Sequence, residues 1–178
     1  MGTDTSRSDR VYMAALVERY KVDLQPLLKY VRYFESKAGV GAASTYGDQG
    51  ISRNSLMFPV YDGTLLSFIR DVKETSLLDR NYPYVYSKKF LKTVEDEKEL
   101  IENSDLKDME NITAILSRYV LEGSYKAVVW TEGVRNGIFL AVLMKMKKNL
   151  DYWSRTLAIE KNGGFPYDET QGLTERKR

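Results

Sequence analysis

The chain contains no histidine and no cysteine, and these two absences exclude most familiar catalytic chemistry. Without histidine there is no imidazole base for a serine or cysteine nucleophile, and no imidazole ligand for zinc or copper. Without cysteine there is no thiolate, disulfide, zinc cluster or iron–sulfur site. Carboxylates, lysine, tyrosine and serine can still support catalysis. The composition nevertheless predicts a protein that is not an enzyme and that uses no cofactor and no metal.

Long apolar runs and a strong net charge are also missing. The longest unbroken apolar run covers residues 138–144, whereas a membrane-spanning helix needs roughly 20 such residues. Residues 1–10 are polar and no apolar signal core follows them, so we expect a cytoplasmic protein with no membrane partner. The net charge of +2 is too small to indicate nucleic-acid binding by itself.

Helical periodicity dominates the sequence and predicts a mainly α (α+β) fold. Apolar residues recur every three or four positions through most of the chain, which is the spacing of amphipathic helices. We expect a single-domain bundle of about six helices around a core helix at 138–157, because that segment begins with residues that are apolar on every side. The predicted domain covers residues 10–158, between a disordered N-terminus at 1–9 and a flexible tail at 159–178.

A small antiparallel β element is predicted near 55–61 and 81–87. In the second segment every other residue is a tyrosine: Tyr82, Tyr84 and Tyr86. A spacing of two residues places the three rings on one face of a strand. The stretch from 39 to 54 is rich in glycine, serine and alanine, and it is predicted to be a long exposed loop.

Acidic residues concentrate between positions 95 and 110. Most acidic helices are solvated faces and nothing more. The alternative is a negative ridge that binds the basic groove of a nucleic-acid-binding protein, and both interpretations stay open. Tyrosine is frequent at protein interfaces. The predicted partner-binding residues therefore combine the ridge with the tyrosine segment: Glu95, Asp96, Glu97, Glu99, Glu102, Tyr82, Tyr84 and Tyr86.

Basic residues flank the tyrosine segment and lie along the last helix. Tyrosines between cations can stack on the bases of single-stranded nucleic acid. The residues of this alternative surface are Arg80, Lys88, Lys89, Lys145 and Lys148. Because the net charge is weak, a protein partner ranks above direct binding of nucleic acid.

Asp96 and Lys98 loosely resemble the acid and lysine set of magnesium-dependent nucleases. However, Thr93 and Asp96 have the spacing of a capping box, and acids are favoured by the free N–H groups of a first helical turn. We therefore expect Asp96 to cap a helix rather than to take part in catalysis.

Residues 130–143 read Trp-x-Glu-Gly-Val-x-Asn-Gly-Ile-Phe-x-x-Val-Leu. Together with residues 10–28 and 58–82, this stretch resembles an uncharacterised bacterial family, a domain of unknown function found in accessory proteins on mobile elements of gut Clostridia. Small proteins of such elements often neutralise host defences, and the chain is similar in size and setting to a type II anti-CRISPR group.

This resemblance implies a non-enzymatic inhibitor that binds a host defence protein, most specifically a type II RNA-guided DNA nuclease. The alternative is a nucleic-acid-binding accessory or regulatory protein of the mobile element. The oligomeric state stays open.

Overall fold

The structure, a computed structural model, describes residues 3–40, 43–45 and 59–161. These residues are mainly helical, as the sequence predicts. The helical elements are α1 (Thr3–Leu24), a 3₁₀ helix (Gln25–Tyr30), α2 (Val31–Lys37), α3 (Gly63–Lys73), α4 (Tyr82–Lys89), α5 (Val94–Asn103), α6 (Met109–Glu122), α7 (Ala127–Arg135) and α8 (Ile138–Lys161). Two short strands, β1 (Ala43–Thr45) and β2 (Pro59–Tyr61), pair in antiparallel orientation.

Helix α1 begins at Thr3, so residues 3 to 9 are helical where the sequence predicted disorder. From Thr3 to Leu24 the chain contains no proline or glycine, and the helical hydrogen bonds therefore continue without a break. Pro26 lies in the first turn of the 3₁₀ helix that follows, where its missing N–H is harmless. At the other end α8 continues to Lys161, and the rest of the predicted tail lies outside the described residues.

The tyrosine segment is helical, so the predicted strand at 81–87 is wrong. Helix α4 carries Pro83 in its first turn, a position that suits proline. Tyr82 and Tyr86 are four residues apart and share a helix face, whereas Tyr84 lies on the other side. Strand β2 pairs with β1 instead. Residues 55–58, and most of the predicted loop at 39–54, lie outside the described residues.

Helix α8 forms the centre of the fold, as predicted for residues 138–157. Helices α1, α2, α5, α6 and α7 all contact it. The ring of Phe139 lies 5.5 Å from that of Phe34 in α2, 5.1 Å from that of Phe68 in α3 and 5.9 Å from that of Tyr119 in α6, measured between centroids. Each such pair adds roughly 0.5–1.5 kcal/mol to the effect of burial. This aromatic cluster therefore holds four helices together.

Two glycines allow α7 to lie close to its neighbours. A Cβ atom at Gly133 would lie 2.7 Å from Cε2 of Phe139 and 2.9 Å from Cδ1 of Tyr119. A Cβ atom at Gly123 would lie 2.0 Å from Cδ1 of Trp130. Larger residues at either position would separate α7 from α6 and α8, so these glycines are required by packing.

Candidate functional site

Glu97, a predicted partner-binding residue, lies in the protein interior. Its Oε1 atom accepts a 2.7 Å hydrogen bond from the Tyr86 hydroxyl and contacts Nη1 of Arg118. Its Oε2 atom accepts a 2.7 Å hydrogen bond from the Tyr119 hydroxyl. Only 2% of its side chain is exposed. This placement corrects the predicted ridge, because a carboxylate enclosed by its own partners supports the fold and does not reach a second protein.

Charge in this buried network is balanced. The guanidinium of Arg118 lies 5.3 Å from the ring centre of Tyr86 and 5.1 Å from that of Tyr119. Burial raises the pKa of both phenols, and the Glu97 carboxylate raises it further. Burial lowers the pKa of Arg118, but its interactions with Tyr86 and Glu97 outweigh that effect, and the pKa is raised. Both tyrosines therefore stay neutral and Arg118 stays charged, which is an arrangement for stability rather than for proton transfer.

Tyr82 is also used by the fold. Its hydroxyl donates a 3.2 Å hydrogen bond to Oε1 of Glu122, and Oε2 of the same carboxylate lies 3.2 Å from Nζ of Lys126. Tyr82 and Tyr86 together connect α4 to α5 and α6. Of the three tyrosines predicted to contact a partner, Tyr84 is the exposed one, with 58% of its surface accessible.

Asp96 completes a capping box at the start of α5, which confirms the prediction made from Thr93 and Asp96. Oγ1 of Thr93 accepts a 3.1 Å hydrogen bond from the Asp96 amide, and Oδ2 of Asp96 accepts bonds from the amides of Thr93 at 2.8 Å and Lys92 at 2.9 Å. The amides of Lys92 and Thr93 lower the pKa of Asp96. Its carboxylate is therefore occupied by the backbone.

The exposed acidic side of α5 consists of Glu95, Glu99 and Glu102, which lie three or four residues apart on one face. Oε1 of Glu102 lies 3.7 Å from Nζ of Lys145 and 3.5 Å from Nζ of Lys148, both in α8. Within the described residues Glu95 and Glu99 have no ion-pair partner. The acidic and basic surfaces predicted separately thus meet, and they neutralise each other in part.

The predicted nucleic-acid-binding residues are divided between two places. Arg80, Lys88 and Lys89 are exposed at or beside α4, while Lys145 and Lys148 belong to α8. The side chain of Lys145 is only 11% exposed, and its Nζ donates to the main-chain oxygen of Glu102. A cation at the carboxyl end of a helix is stabilising, so Lys145 has a structural role.

A groove of about 930 Å³ opens between α5 and α8. Its floor is apolar and includes Ile101 and Met144. Farther along α8 the groove passes Tyr152 and Ile159, which are 63% and 54% exposed. Met144, Tyr152 and Ile159 are spaced by about two helical turns and so lie on one face of α8. An exposed apolar face of this kind is typical of an interaction surface.

Basic side chains around this groove outnumber acidic ones by five to two. The cations are Lys98, Lys145, Lys147, Lys148 and Arg155, and the acids are Glu102 and Asp151. Three of the cations have acidic partners already, because Lys145 and Lys148 share Glu102 and Lys147 pairs with Asp151. The groove therefore combines an apolar floor with a rim of net positive charge.

Sequence reasoning did not identify the apolar residues of this groove. It predicted a core helix at 138–157 and assigned Lys145 and Lys148 to a basic surface, and it gave no role to Met144, Tyr152 and Ile159. The missed signal is a second apolar stripe, offset by about half a turn, in which Tyr152 and Ile159 follow Met144 at helical spacing.

Other types of site receive no support from the part of the chain that the structure describes. There, no three acidic side chains converge in a way that could hold a metal ion. Within residues 3–40 and 59–161, no helix combines the length and the hydrophobicity needed to cross a bilayer.

Comparison of the chain with protein-family models, with curated proteins and with solved structures gave no match.

Proposed function

We propose that this chain is a non-enzymatic binding protein that holds a segment of a host protein in the α5–α8 groove and inhibits that protein. The observation that carries the proposal is the exposed apolar face of α8, formed by Met144, Tyr152 and Ile159, over which no other described element packs. Covering such a face removes apolar surface from water, which is the main favourable contribution to most protein association.

The charge of the rim indicates the chemistry of the occupant. Lys148 and Arg155 are exposed beside Tyr152, and they attract carboxylates. We therefore propose that an amphipathic segment of the partner lies in the groove, with its apolar face on the floor and its acidic side chains toward the rim. The partner we propose is a type II RNA-guided DNA nuclease of the host, in line with the resemblance to accessory proteins of mobile elements.

A second candidate function is binding of single-stranded nucleic acid as an accessory factor. The observation in its favour is the exposed ring of Tyr152 close in sequence to Lys148 and Arg155, since aromatic rings between cations can stack on bases. The apolar floor favours the first proposal, because Ile101 and Met144 offer no group that binds phosphate.

The first test measures binding to a purified type II nuclease with its guide RNA, together with inhibition of DNA cleavage. We expect a stable complex and a loss of cleavage activity. Tyr152→Ala should weaken binding by roughly tenfold or more, because truncation of a central interface tyrosine costs at least about 1.4 kcal/mol. Tyr12→Ala is the matched control, since Tyr12 is 53% exposed on α1, away from the groove.

Two results would contradict this proposal. If the chain forms no complex with the nuclease, the partner is wrong, and if both variants weaken binding equally, the groove is not the docking surface.

Titration with labelled single-stranded oligonucleotides at about 50 and about 200 mM salt tests the second candidate function, binding of single-stranded nucleic acid. Tight binding that falls steeply with salt and disappears in Tyr152→Ala would replace the first function with the second.

A further inference from the structure

Phe90 ends helix α4 in the left-handed backbone conformation, with a φ angle of 55°. It is the only non-glycine residue with positive φ among those described. The turn is closed by a 3.0 Å hydrogen bond from the Leu91 amide to the Tyr86 oxygen. Glycine is favoured at this position because a Cβ atom is strained there, and a bulky residue with positive φ is an outlier.

The side chain of Phe90 does not compensate for this strain by packing. It is 78% exposed, whereas the next residue, Leu91, packs against the core. The fold therefore accepts a strained backbone in order to present a large apolar ring to solvent. Strained residues of this kind cluster at ligand clamps and other functional sites, so the reason for a phenylalanine at this position lies outside the isolated chain.

The surroundings of Phe90 are aromatic and basic. Tyr84, on the same short helix, is exposed, and Nζ of Lys88 lies 5.7 Å from the centre of its ring. Lys89 is exposed next to Phe90. We call Tyr84, Lys88, Lys89 and Phe90 the α4 tip. Exposed aromatic rings with adjacent cations have the composition of an interface centre rather than of an ordinary solvated helix end.

We propose that the α4 tip is a second docking surface for the same partner, in which Phe90 enters an apolar pocket bordered by acidic side chains that pair with Lys88 and Lys89. This inference rests on the proposed function. A protein is favoured over nucleic acid because the net charge of the chain is only +2, which is too small to indicate binding to a phosphate backbone.

The experiment compares Phe90→Gly with Phe90→Tyr in full-length protein. Phe90→Gly relieves the backbone strain, so we expect the thermal unfolding midpoint to rise by roughly 2–4 °C. The same variant loses the anchoring ring, so its affinity for the nuclease–guide complex should fall by about tenfold or more. Phe90→Tyr keeps both the ring and the strain, so its unfolding midpoint should match the wild type, and its affinity should fall less than that of Phe90→Gly, because only the added hydroxyl is desolvated in the pocket.

The outcomes separate this inference from the proposed function. If Phe90→Gly is more stable and binds as well as the wild type, while Tyr152→Ala binds weakly, the α4 tip is not a docking surface and the groove proposal stands. If Phe90→Gly is less stable, the ring supports the fold and the inference is overturned. If the wild type does not bind the nuclease, both proposals fail. Binding of single-stranded oligonucleotide that depends on Phe90 would overturn the inference in favour of base stacking.

Discussion

Glu97 is a residue whose charge is used inside the protein. Three donors surround its carboxylate, from Tyr86, Arg118 and Tyr119, and one of them carries a full positive charge. Removal of the carboxylate would leave two hydroxyls and a guanidinium in a partly dry environment without their acceptor. A buried pair that loses one member is destabilised, and Arg118 would keep a single carboxylate partner, Glu122, whose Oε1 lies 3.6 Å from its Nε.

Glu97→Ala should therefore lower the free energy of unfolding by about 3 kcal/mol, the low end of the range for a broken buried pair, because Arg118 keeps Glu122. Glu99→Ala, on the same helix, is the matched control, since Glu99 is exposed and unpaired within the described residues, and it should change stability by less than about 0.5 kcal/mol. Urea denaturation followed by circular dichroism measures both values. Similar losses in the two variants would show that the buried network contributes no particular stability.

The burial of Glu97 was only partly accessible from the sequence. Val94 and Ile101 lie three residues before it and four residues after it, so helical spacing places Glu97 on the apolar face of α5. Its charge favoured the opposite interpretation. Its partners lie 11, 21 and 22 residues away in the sequence. Such non-local pairs form only when the helices pack together, and the local sequence pattern carries no information about that packing.

At the scale of single elements, long periodic segments were predicted well and short ones were not. Helix α8 is apolar over several turns, and the sequence located it as the core helix at 138–157. Helix α4 has eight residues, too few to separate a period of two from a period of 3.6. The strand period of two fits Tyr82, Tyr84 and Tyr86. The helical period of 3.6 fits Tyr82 and Tyr86, which are four residues apart. Tertiary contacts of those two tyrosines favour the helix.

The packing of α7 gives a prediction at the same scale. Gly133→Ala places a methyl group against Phe139 and Tyr119, and it should destabilise the protein by about 1–3 kcal/mol. Gly63→Ala is the control, because no described atom lies within 4 Å of a Cβ atom built there. That variant should be neutral or slightly stabilising. Thermal denaturation distinguishes them, and equal midpoints would contradict the close approach of α7.

At the scale of the whole molecule, pH dependence follows from the buried phenols. Tyr86 and Tyr119 have pKa values raised above the ordinary value of 10.0, chiefly by burial. In the unfolded chain both ionise near pH 10, while in the folded protein they keep their protons. Stability is therefore complete below pH 10 and should decrease as the pH rises above it. Urea denaturation at a series of pH values measures this loss.

The control for this pH dependence is the double variant Tyr86→Phe with Tyr119→Phe. It should be less stable at neutral pH, because Glu97 loses two donors, but its stability should decrease less steeply above pH 10. A slope identical to that of the wild type would show that other tyrosines determine the alkaline behaviour.

The central position of α8 also determines when this chain can fold during synthesis. Among the described helices α8 is the last to be translated, yet α1, α2, α5, α6 and α7 all pack against it. Until the ribosome has released residues 138 to 161, the faces of those helices that pack on α8 are uncovered and remain accessible to chaperones. Complete folding therefore follows translation of α8. A ribosome that stalls before α8 is made holds a chain whose other helices lack their central packing partner.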